Sequence, residues 1–377
     1  MRGRKLVVAG CSALLTLALV SFALLESYGE RFHAVLTRGR WPVGAYRYDE
    51  ATRSFALTPG IAKPMLDGSF HVKTHQLGYR IGEGADARAF RPGGVLAIGC
   101  SFTFGDEVEA EETFTAVAAR TLGLDAYNFG VCSYSYASVL RQLEDLERRG
   151  ILGELAPSIV VLGAGSWMPA RSLSPFYPTP DLQLAHPYIA LEGGVPAVAD
   201  PPDAISVRHA IGFATTTSYF DGDRRDVPFD LRRRLLMLDT IPRVLLARLA
   251  QRTFANPVTP EQMYRFVLER ISRITERIGA KLVVLNMPIY RKEASVDPAL
   301  VAAIDECRCA TLVDGHRALA RHDALGARLA HPDPSAHAAY AAALVEAVTT
   351  DREERREEAP GERGAARGAL PPGDHGT

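Results

Sequence analysis

Ser101 and His331 are the two residues of this 377-residue chain whose types and surroundings best fit nucleophilic chemistry. Ser101 follows the apolar run 95–98 and the turn residue Gly99. A short apolar run that ends in glycine is typical of a buried strand, which delivers the next residue to the ligand-binding edge of an open α/β sheet. A serine hydroxyl becomes a good nucleophile when an imidazole takes its proton. The alternative is that Ser101 only forms a tight turn.

The candidate base is one of two histidines that stand just before the last predicted helix. His331 precedes a proline, which biases its backbone away from helix and predicts a loop position. His337 falls in the first turn of the helix, beyond Ser335 as a candidate cap, and a structural role is the better interpretation for it. We therefore expect His331 to be the general base, with a surface or capping histidine as the alternative.

Oxyanion stabilisation needs fixed hydrogen-bond donors aimed at the developing charge. We expect the backbone N–H groups of Ser101 and Gly130 to supply them, because Gly130 ends the strand that should lie beside the first one. The hydroxyl of Ser166 is a third candidate donor. Either Asp323 or Asp333 is a candidate carboxylate partner for His331. No cofactor is expected, and no residue spacing resembles a structural metal site.

Five cysteines, an odd number, do not form a disulfide framework in a chain of this length. Cys307 and Cys309 are too close in sequence for a usual disulfide and lack a second pair for zinc. Cys100 and Cys132 follow the ends of two strands that should be adjacent. They either form a bridge at the site entrance, in an oxidising compartment, or remain two buried thiols.

The chain begins with a basic flank and the uncharged run 6–25, which is long enough to span a bilayer as a helix. We expect an uncleaved anchor, with the positive flank in the cytoplasm and the remaining chain on the periplasmic or extracellular side. A cleaved signal peptide and a lipoprotein are the alternatives. The balance of 43 Lys+Arg against 44 Asp+Glu argues against a polybasic surface for nucleic acid.

Four segments follow from the composition: the flank and transmembrane anchor (1–29), a lead-in with short strands (30–90), an α/β domain (91–350) and a disordered tail (351–377). Strands and helices alternate in the domain, which predicts a three-layer, doubly wound, flavodoxin-like parallel sheet. The expected strands are 95–99, 125–130, 159–163, 281–286 and 310–314, and the expected helices are 111–122, 136–149, 260–278, 298–306 and 335–348.

An insertion at about 168–258 interrupts this alternation between the third and fourth strands. It includes a predicted hairpin at 188–198 and a basic amphipathic stretch at 231–238. We expect the insertion to form a cap over the carboxyl edge of the sheet.

Several stretches resemble, in order, sequence blocks of the SGNH/GDSL hydrolases. Gly99–Gly105 resembles the Gly-Asp-Ser block, Asn128–Gly130 the block with the oxyanion glycine, Ile159–Gly165 the strand that enters the third block, and Ala330–His337 the block with the histidine base. The stretches Gln76–Arg80 and His186–Gly194 resemble a membrane-anchored bacterial branch. The resemblance implies a serine esterase or acyltransferase with Ser101 as nucleophile, His331 as base and Gly130 as an oxyanion donor.

Three positions depart from the family pattern. Cys100 stands where the family has aspartate, the segment 163–168 lacks the usual asparagine, and Arg328 stands where an aspartate orients the base. Loss of one oxyanion donor typically costs about 10²–10³ in rate, and loss of the carboxylate costs about 10⁴.

Three functions are therefore weighed. The first is a membrane-tethered esterase or acyltransferase that acts on acyl esters, acetyl esters included, of cell-envelope glycans; its partner is an acylated carbohydrate or another small ester. The second is a catalytically degraded relative that binds envelope polysaccharide or a partner protein. The third is an accessory protein that lays the stretch 231–238 against the membrane, although the solvated face of a cap helix is the better interpretation of that stretch.

Overall fold

A computed structural model describes residues 45–49, 51–64, 69–175, 186–200, 254–288, 295–321 and 331–357. The predicted anchor at 6–25 and the basic stretch at 231–238 lie outside these residues. Within the described ranges, no helix combines the length and the apolar composition that crossing a bilayer requires.

Twelve strands are present in the described ranges. They are β1 (Tyr46–Asp49), β2 (Ser54–Leu57), β3 (Ala62–Pro64), β4 (His71–Thr74), β5 (Arg80–Ile81), β6 (Val95–Ile98), β7 (Ala126–Asn128), β8 (Ile159–Ala164), β9 (Tyr188–Glu192), β10 (Val195–Ala199), β11 (Lys281–Asn286) and β12 (Thr311–Asp314).

The described helices flank the strands. They are α1 (Ser101–Phe104), α2 (Phe114–Leu122), α3 (Tyr136–Arg148), α4 (Ile151–Leu155), α5 (Met168–Ser172), α6 (Pro260–Arg277), α7 (Pro298–Cys307), α8 (Gly315–Arg321) and α9 (Pro334–Glu357), with a short 3₁₀ helix at Ala110–Glu112.

The central sheet has the spatial order β12-β11-β8-β6-β7-β5-β4-β3. Its five parallel strands, taken in chain order from β6, read 2-1-3-4-5, which is the flavodoxin-like order. Every residue of β6 and β8 is buried, as continuous apolar strands covered on both faces should be. The predicted α/β class and parallel sheet are confirmed. The order reverses direction between β6 and β8, and ligands bind at such a point.

Part of the lead-in belongs to the same sheet. β3 pairs antiparallel with β4 and β4 with β5, and β5 joins the edge of β7 through Arg80 and Asn128. β1 and β2, which lie in the same segment, form a separate antiparallel pair. Only β7 therefore lies between β5, which carries Arg80, and β6, which leads to Ser101.

The helices form two packed groups. α2 packs against α9, β6 and β7, while α6 packs against α3, α7 and β11. The two groups are consistent with a three-layer arrangement. α9 continues to Glu357, so the helix extends over the first seven residues of the tail predicted at 351–377. Those seven residues are Asp, Glu and Arg alone, and Glu and Arg are good helix formers. The disordered tail stays a prediction.

Only part of the predicted cap is described. The predicted hairpin is confirmed as β9 and β10, joined by Gly193 and Gly194 with φ of +60° and +87°. Glycine suits this two-residue turn because both central positions need positive φ. The hairpin packs against α3 and α6. The described residues leave the expected placement over the sheet edge as a prediction.

Candidate active site

Ser101 is the first residue of α1, directly beyond the end of β6. The sequence pattern predicted a helix only from residue 111, so this single turn was missed. It is short because Gly105 adopts a left-handed conformation, φ +80°, and ends it. Gly99 makes the tight connection feasible, since a Cβ there would lie 2.1 Å from the Thr103 Oγ1 atom. The local sequence therefore forces Ser101 to the carboxyl edge of the sheet.

Two buried side chains satisfy the carbonyl groups at the end of α1. A single helical turn leaves its last carbonyls without partners in the helix. Asn128 Nδ2 donates to the carbonyl oxygen of Thr103 at 2.8 Å. Arg80 Nη1 donates to the carbonyl oxygens of Phe104 at 2.8 Å and Gly105 at 2.7 Å. The sequence analysis assigned neither side chain a role.

Arg80 also fixes the loop that follows α1. Its Nη2 donates to the carbonyl oxygen of Val108 at 2.6 Å. Its guanidinium carbon lies 4.9 Å and 4.3 Å from the ring centroids of Phe70 and Phe104. Burial lowers the pKa of Arg80 to about 10, so the side chain stays charged at neutral pH. The strand before the parallel sheet thus holds the loop 105–108 in place.

The structure brings Ser101 and His331 together. Ser101 Oγ lies 3.0 Å from His331 Nε2, although 230 positions separate the two residues in the chain. Both side chains are buried. Pro332 and the start of α9 follow His331, as the proline pattern predicted for a loop histidine. The distance is within the range over which an imidazole can take the serine proton.

Two carboxylates of the loop after α1 face the imidazole. Glu107 Oε1 lies 3.5 Å from His331 Nδ1, and Asp106 Oδ2 lies 3.6 Å from His331 Nε2. The sequence analysis expected Asp323 or Asp333 in this role.

Neither Asp333 nor Asp323 is observed beside His331 in the described residues. Asp333 instead caps α9, where its Oδ1 accepts from the backbone N–H of Ala336 at 2.9 Å and from the Ser335 hydroxyl at 2.8 Å. Asp323 and Arg328 lie outside the described residues. The signal that was missed is the pair of acidic residues directly after the turn that ends α1.

The predicted oxyanion donors have different surroundings. The N–H of Ser101 lies at the first position of α1, where a helix offers no acceptor of its own. The N–H of Gly130 donates to Asn128 Oδ1 at 3.0 Å, so Asn128 must release it before it can bind an oxyanion. Ser166 is exposed on the turn after β8. Their roles as donors remain predictions.

Gly130 has a separate steric role. A Cβ on this residue would lie 2.3 Å from the backbone nitrogen of Phe104. The backbone that follows β7 therefore packs directly on α1, and only glycine allows that approach.

An indole occupies the space next to the segment that lacks the family's asparagine. A Cβ on Gly165 would lie 2.5 to 2.7 Å from ring atoms of Trp167. The centroid of the Trp167 ring is 4.5 Å from that of Phe102, and the Phe102 ring is 5.5 Å from the imidazole of His331. The wall of the site on this side is therefore aromatic.

His337 has the structural role that its helix position predicted. Its Nδ1 accepts from the backbone N–H of Phe114 at 3.2 Å, at the start of α2, and its ring stacks on that of Phe114. Burial lowers its pKa to about 3. The neutral imidazole acts as a cap between α9 and α2.

The cysteines give one correction. Cys307 and Cys309 form a disulfide, because the chain reverses at Arg308, φ +50°, directly after α7 and brings their Cα atoms to 5.1 Å. The expectation that they are too close in sequence to bridge is wrong. Cys100 and Cys132 are buried thiols that are not joined to each other. In the described part of the chain, no group of His, Cys, Asp and Glu could hold a metal ion.

Comparison with known proteins gives structural matches. No protein-family model matches the sequence. No curated protein matches it. Among solved structures, the chain is similar to a protein from Slackia heliotrinireducens described as an SGNH hydrolase, with 13% identity, a TM-score of 0.36 and coverage of 68% of this chain and 100% of that chain.

Two further structures are similar to the chain. One is a member of the lipolytic G-D-S-L family from Veillonella parvula, with 10% identity, a TM-score of 0.34 and coverage of 68% and 98%. The other is a carbohydrate esterase family 2 enzyme from Corynascus thermopiles with its carbohydrate-binding domain, with 14% identity, a TM-score of 0.37 and coverage of 71% and 69%. All three matches lie below 25% identity and below a TM-score of 0.5, so they carry no conclusion about the function of this chain.

Proposed function

We propose that the protein is a serine ester hydrolase in which Ser101 is the nucleophile and His331 the general base. The observation that carries this proposal is the 3.0 Å contact between Ser101 Oγ and His331 Nε2 at the carboxyl edge of the sheet. Buried serine and histidine side chains at this distance satisfy the geometric requirement for an activated nucleophile.

The chemistry follows from the contacts. With the proton of the neutral imidazole on Nδ1, Nε2 accepts the Ser101 proton as Oγ attacks the ester carbonyl. The imidazolium then donates that proton to the leaving alkoxide, and an acyl-serine remains. In the second half, His331 takes a proton from the attacking water, and Ser101 leaves with the proton restored. The carboxylic acid is released.

The N–H of Ser101 is the proposed first donor to the oxyanion of both tetrahedral intermediates. The N–H of Gly130 becomes a second donor when Asn128 releases it. Fixed backbone donors of this kind stabilise the transition state strongly, because they cost no reorganisation as the charge develops.

The substrate and location are proposed from the sequence. The uncharged run 6–25 with its basic flank supports a membrane anchor that leaves the catalytic domain on the periplasmic or extracellular side. From this location alone we propose acyl esters of envelope glycans as the substrate, with either water or a sugar hydroxyl as the acceptor of the acyl group. Adding a sugar alcohol to the assay and measuring acyl transfer against hydrolysis separates the two acceptors.

A second candidate is a binding protein that retains the cleft without turnover. The observation that favours it is the Trp167 indole, which fills space beside Gly165 where the family pattern has an oxyanion-binding asparagine. Such a protein binds the acylated glycan and does not hydrolyse it.

The deciding experiment is turnover of p-nitrophenyl acetate by the full chain in detergent, with Ser101→Ala as the variant. We expect a loss of about 10³-fold or more. Ser158→Ala is the matched control. Ser158 immediately precedes β8, at the opposite edge of the sheet, and its hydroxyl donates to the carbonyl oxygen of Gly93. Equal rates for wild type and Ser101→Ala would rule out the esterase function, and the binding protein would be the remaining proposal.

A further inference from the structure

We propose that Glu107 is the residue that orients the His331 imidazole, so that the acid of the triad comes from the loop directly after the nucleophile. This inference rests on the proposed esterase function. The family pattern takes its orienting carboxylate from three residues before the histidine, and Arg328 stands there in this chain.

The Glu107 carboxylate lies on the side of the imidazole ring opposite Ser101. Glu107 Oε1 faces Nδ1 at 3.5 Å, and Ser101 Oγ faces Nε2 at 3.0 Å. A carboxylate on Nδ1 holds the proton on that nitrogen and leaves the lone pair of Nε2 free to take the serine proton. Catalytic hydrogen bonds are often long without substrate and shorten when it binds. The Glu107 side chain is 11% exposed and the His331 side chain 8%, so little solvent competes.

The backbone of Glu107 has an unusual conformation. Its φ is +80°, in the left-handed region that a residue with a long side chain rarely adopts. Glycine is the residue that would fill this position without strain. Strain of this kind clusters at functional sites, where the surrounding structure over-determines it. The presence of glutamate here is explained if its side chain is needed at the imidazole.

Hydrogen bonds hold the loop that carries Glu107 at both of its ends. Arg80 donates to the carbonyl oxygen of Gly105 at 2.7 Å and to that of Val108 at 2.6 Å, which brackets Asp106 and Glu107. The N–H of Val108 also donates to the carbonyl oxygen of Gly105 at 3.3 Å. A carboxylate on a loop clamped in this way keeps its position relative to the imidazole.

Asp106 has a different relation to the ring. Its Oδ2 lies 3.6 Å from Nε2, the nitrogen that Ser101 already contacts. A carboxylate there cannot hold the proton on Nδ1. Its negative charge stabilises the positive imidazolium once the serine proton has moved. Asp106→Asn is therefore a matched comparison, with the same charge change one residue away.

The test compares Glu107→Gln, Glu107→Gly and Asp106→Asn with wild type and with Ser101→Ala. The measurements are kcat and KM for p-nitrophenyl acetate, the rate at which a fluorophosphonate labels Ser101, and Tm. We expect Glu107→Gln to lower kcat and the labelling rate by about 10²- to 10⁴-fold with KM nearly unchanged. The loss of kcat in Asp106→Asn should be at least tenfold smaller than the loss in Glu107→Gln.

Glu107→Gly separates function from folding. It removes the carboxylate and suits φ of +80°, so we expect the same loss of kcat together with an unchanged or higher Tm. The proposal is overturned if Glu107→Gln and Glu107→Gly keep kcat within threefold of wild type while Ser101→Ala is inactive. If Ser101→Ala also matches wild type, the esterase function itself fails.

Discussion

Arg80, on an antiparallel strand that precedes the parallel sheet, donates a 2.7 Å hydrogen bond to the carbonyl oxygen of Gly105, which ends the helix of the nucleophile. The lead-in thus supports the candidate active site directly. The two buried partners of α1, Arg80 and Asn128, are themselves paired across β5 and β7.

Replacing Arg80 should damage both folding and activity. Arg80→Met removes the charged donor from the carbonyl groups of Phe104, Gly105 and Val108. Phe104 keeps a 3.3 Å hydrogen bond from Asn128 Nδ2, and Gly105 keeps one of 3.3 Å from the N–H of Val108. Hydrogen bonds from a charged group contribute about 1.5–3 kcal/mol each, so we expect the free energy of unfolding in urea to fall by roughly 3–5 kcal/mol. Arg80→Lys keeps the charge without the planar guanidinium, so its stability should lie between those of wild type and Arg80→Met. A loss below about 0.5 kcal/mol for Arg80→Met would refute this support role.

Gly130→Ala should be far more harmful than a substitution at a spacious glycine. Its Cβ would overlap the backbone nitrogen of Phe104, and backbone atoms of α1 cannot yield without moving Ser101. We expect a destabilisation of about 2–4 kcal/mol and a large loss of esterase activity.

Gly153→Ala is the matched control, because nothing lies within 4 Å of a Cβ there and the residue is inside α4. It should be neutral or stabilising by up to about 1 kcal/mol. Equal Tm values for the two variants would contradict the close packing of Gly130 on α1.

His337 should make the protein sensitive to acid. Burial lowers its pKa to about 3 from 6.5, while the unfolded chain binds the proton near pH 6.5. Between these values the unfolded state holds more protons, so stability is complete above about pH 6.5 and declines as the pH falls toward 3. The charges that face His337 are Arg80 and His331, which lower its pKa further, and Asp333, which raises it.

Protonation of His337 should lower the free energy of unfolding by roughly 2–3 kcal/mol between pH 7 and pH 4.5. His337→Asn does not titrate and should show a correspondingly flatter stability profile in urea unfolding at the two pH values. The same slope in both proteins would show that His337 does not carry the effect.

Trp167 should limit the size of the acyl group. Its indole packs on Phe102, whose ring contacts His331, so it forms a wall beside the reacting atoms. Trp167→Ala opens that wall. We expect the ratio of kcat/KM for p-nitrophenyl butyrate to that for the acetate to rise by about 10-fold or more, since a methylene in a pocket is worth about 1–3 kcal/mol. An unchanged ratio would show that the acyl group does not bind against Trp167.

The sequence predicted the elements whose signals are local. Continuous apolar runs marked β6, β8 and β11 to within a residue, and the alternation with helices predicted the parallel sheet. The pairing of Ser101 with His331 was also predicted, because a glycine turn and a His-Pro loop place both at one sheet edge.

The parts that sequence missed depend on contacts between distant segments. Nothing local to Arg80 shows that its guanidinium reaches carbonyl oxygens 24 to 28 positions away. Glu107 reaches His331 across 224 positions, and its left-handed backbone gives no signal in a residue that is not glycine. The single turn of α1 is too short to show helical periodicity.

The central claim is that His331 activates Ser101, and covalent labelling tests it most directly. The full chain is treated with a fluorophosphonate, and the adduct is located by peptide mass mapping in wild type and in His331→Ala. The account predicts one adduct on Ser101 in wild type and labelling slowed by about 10³-fold or more in His331→Ala. Labelling of Ser101 at the same rate in both proteins, or an adduct on a different serine, would contradict it.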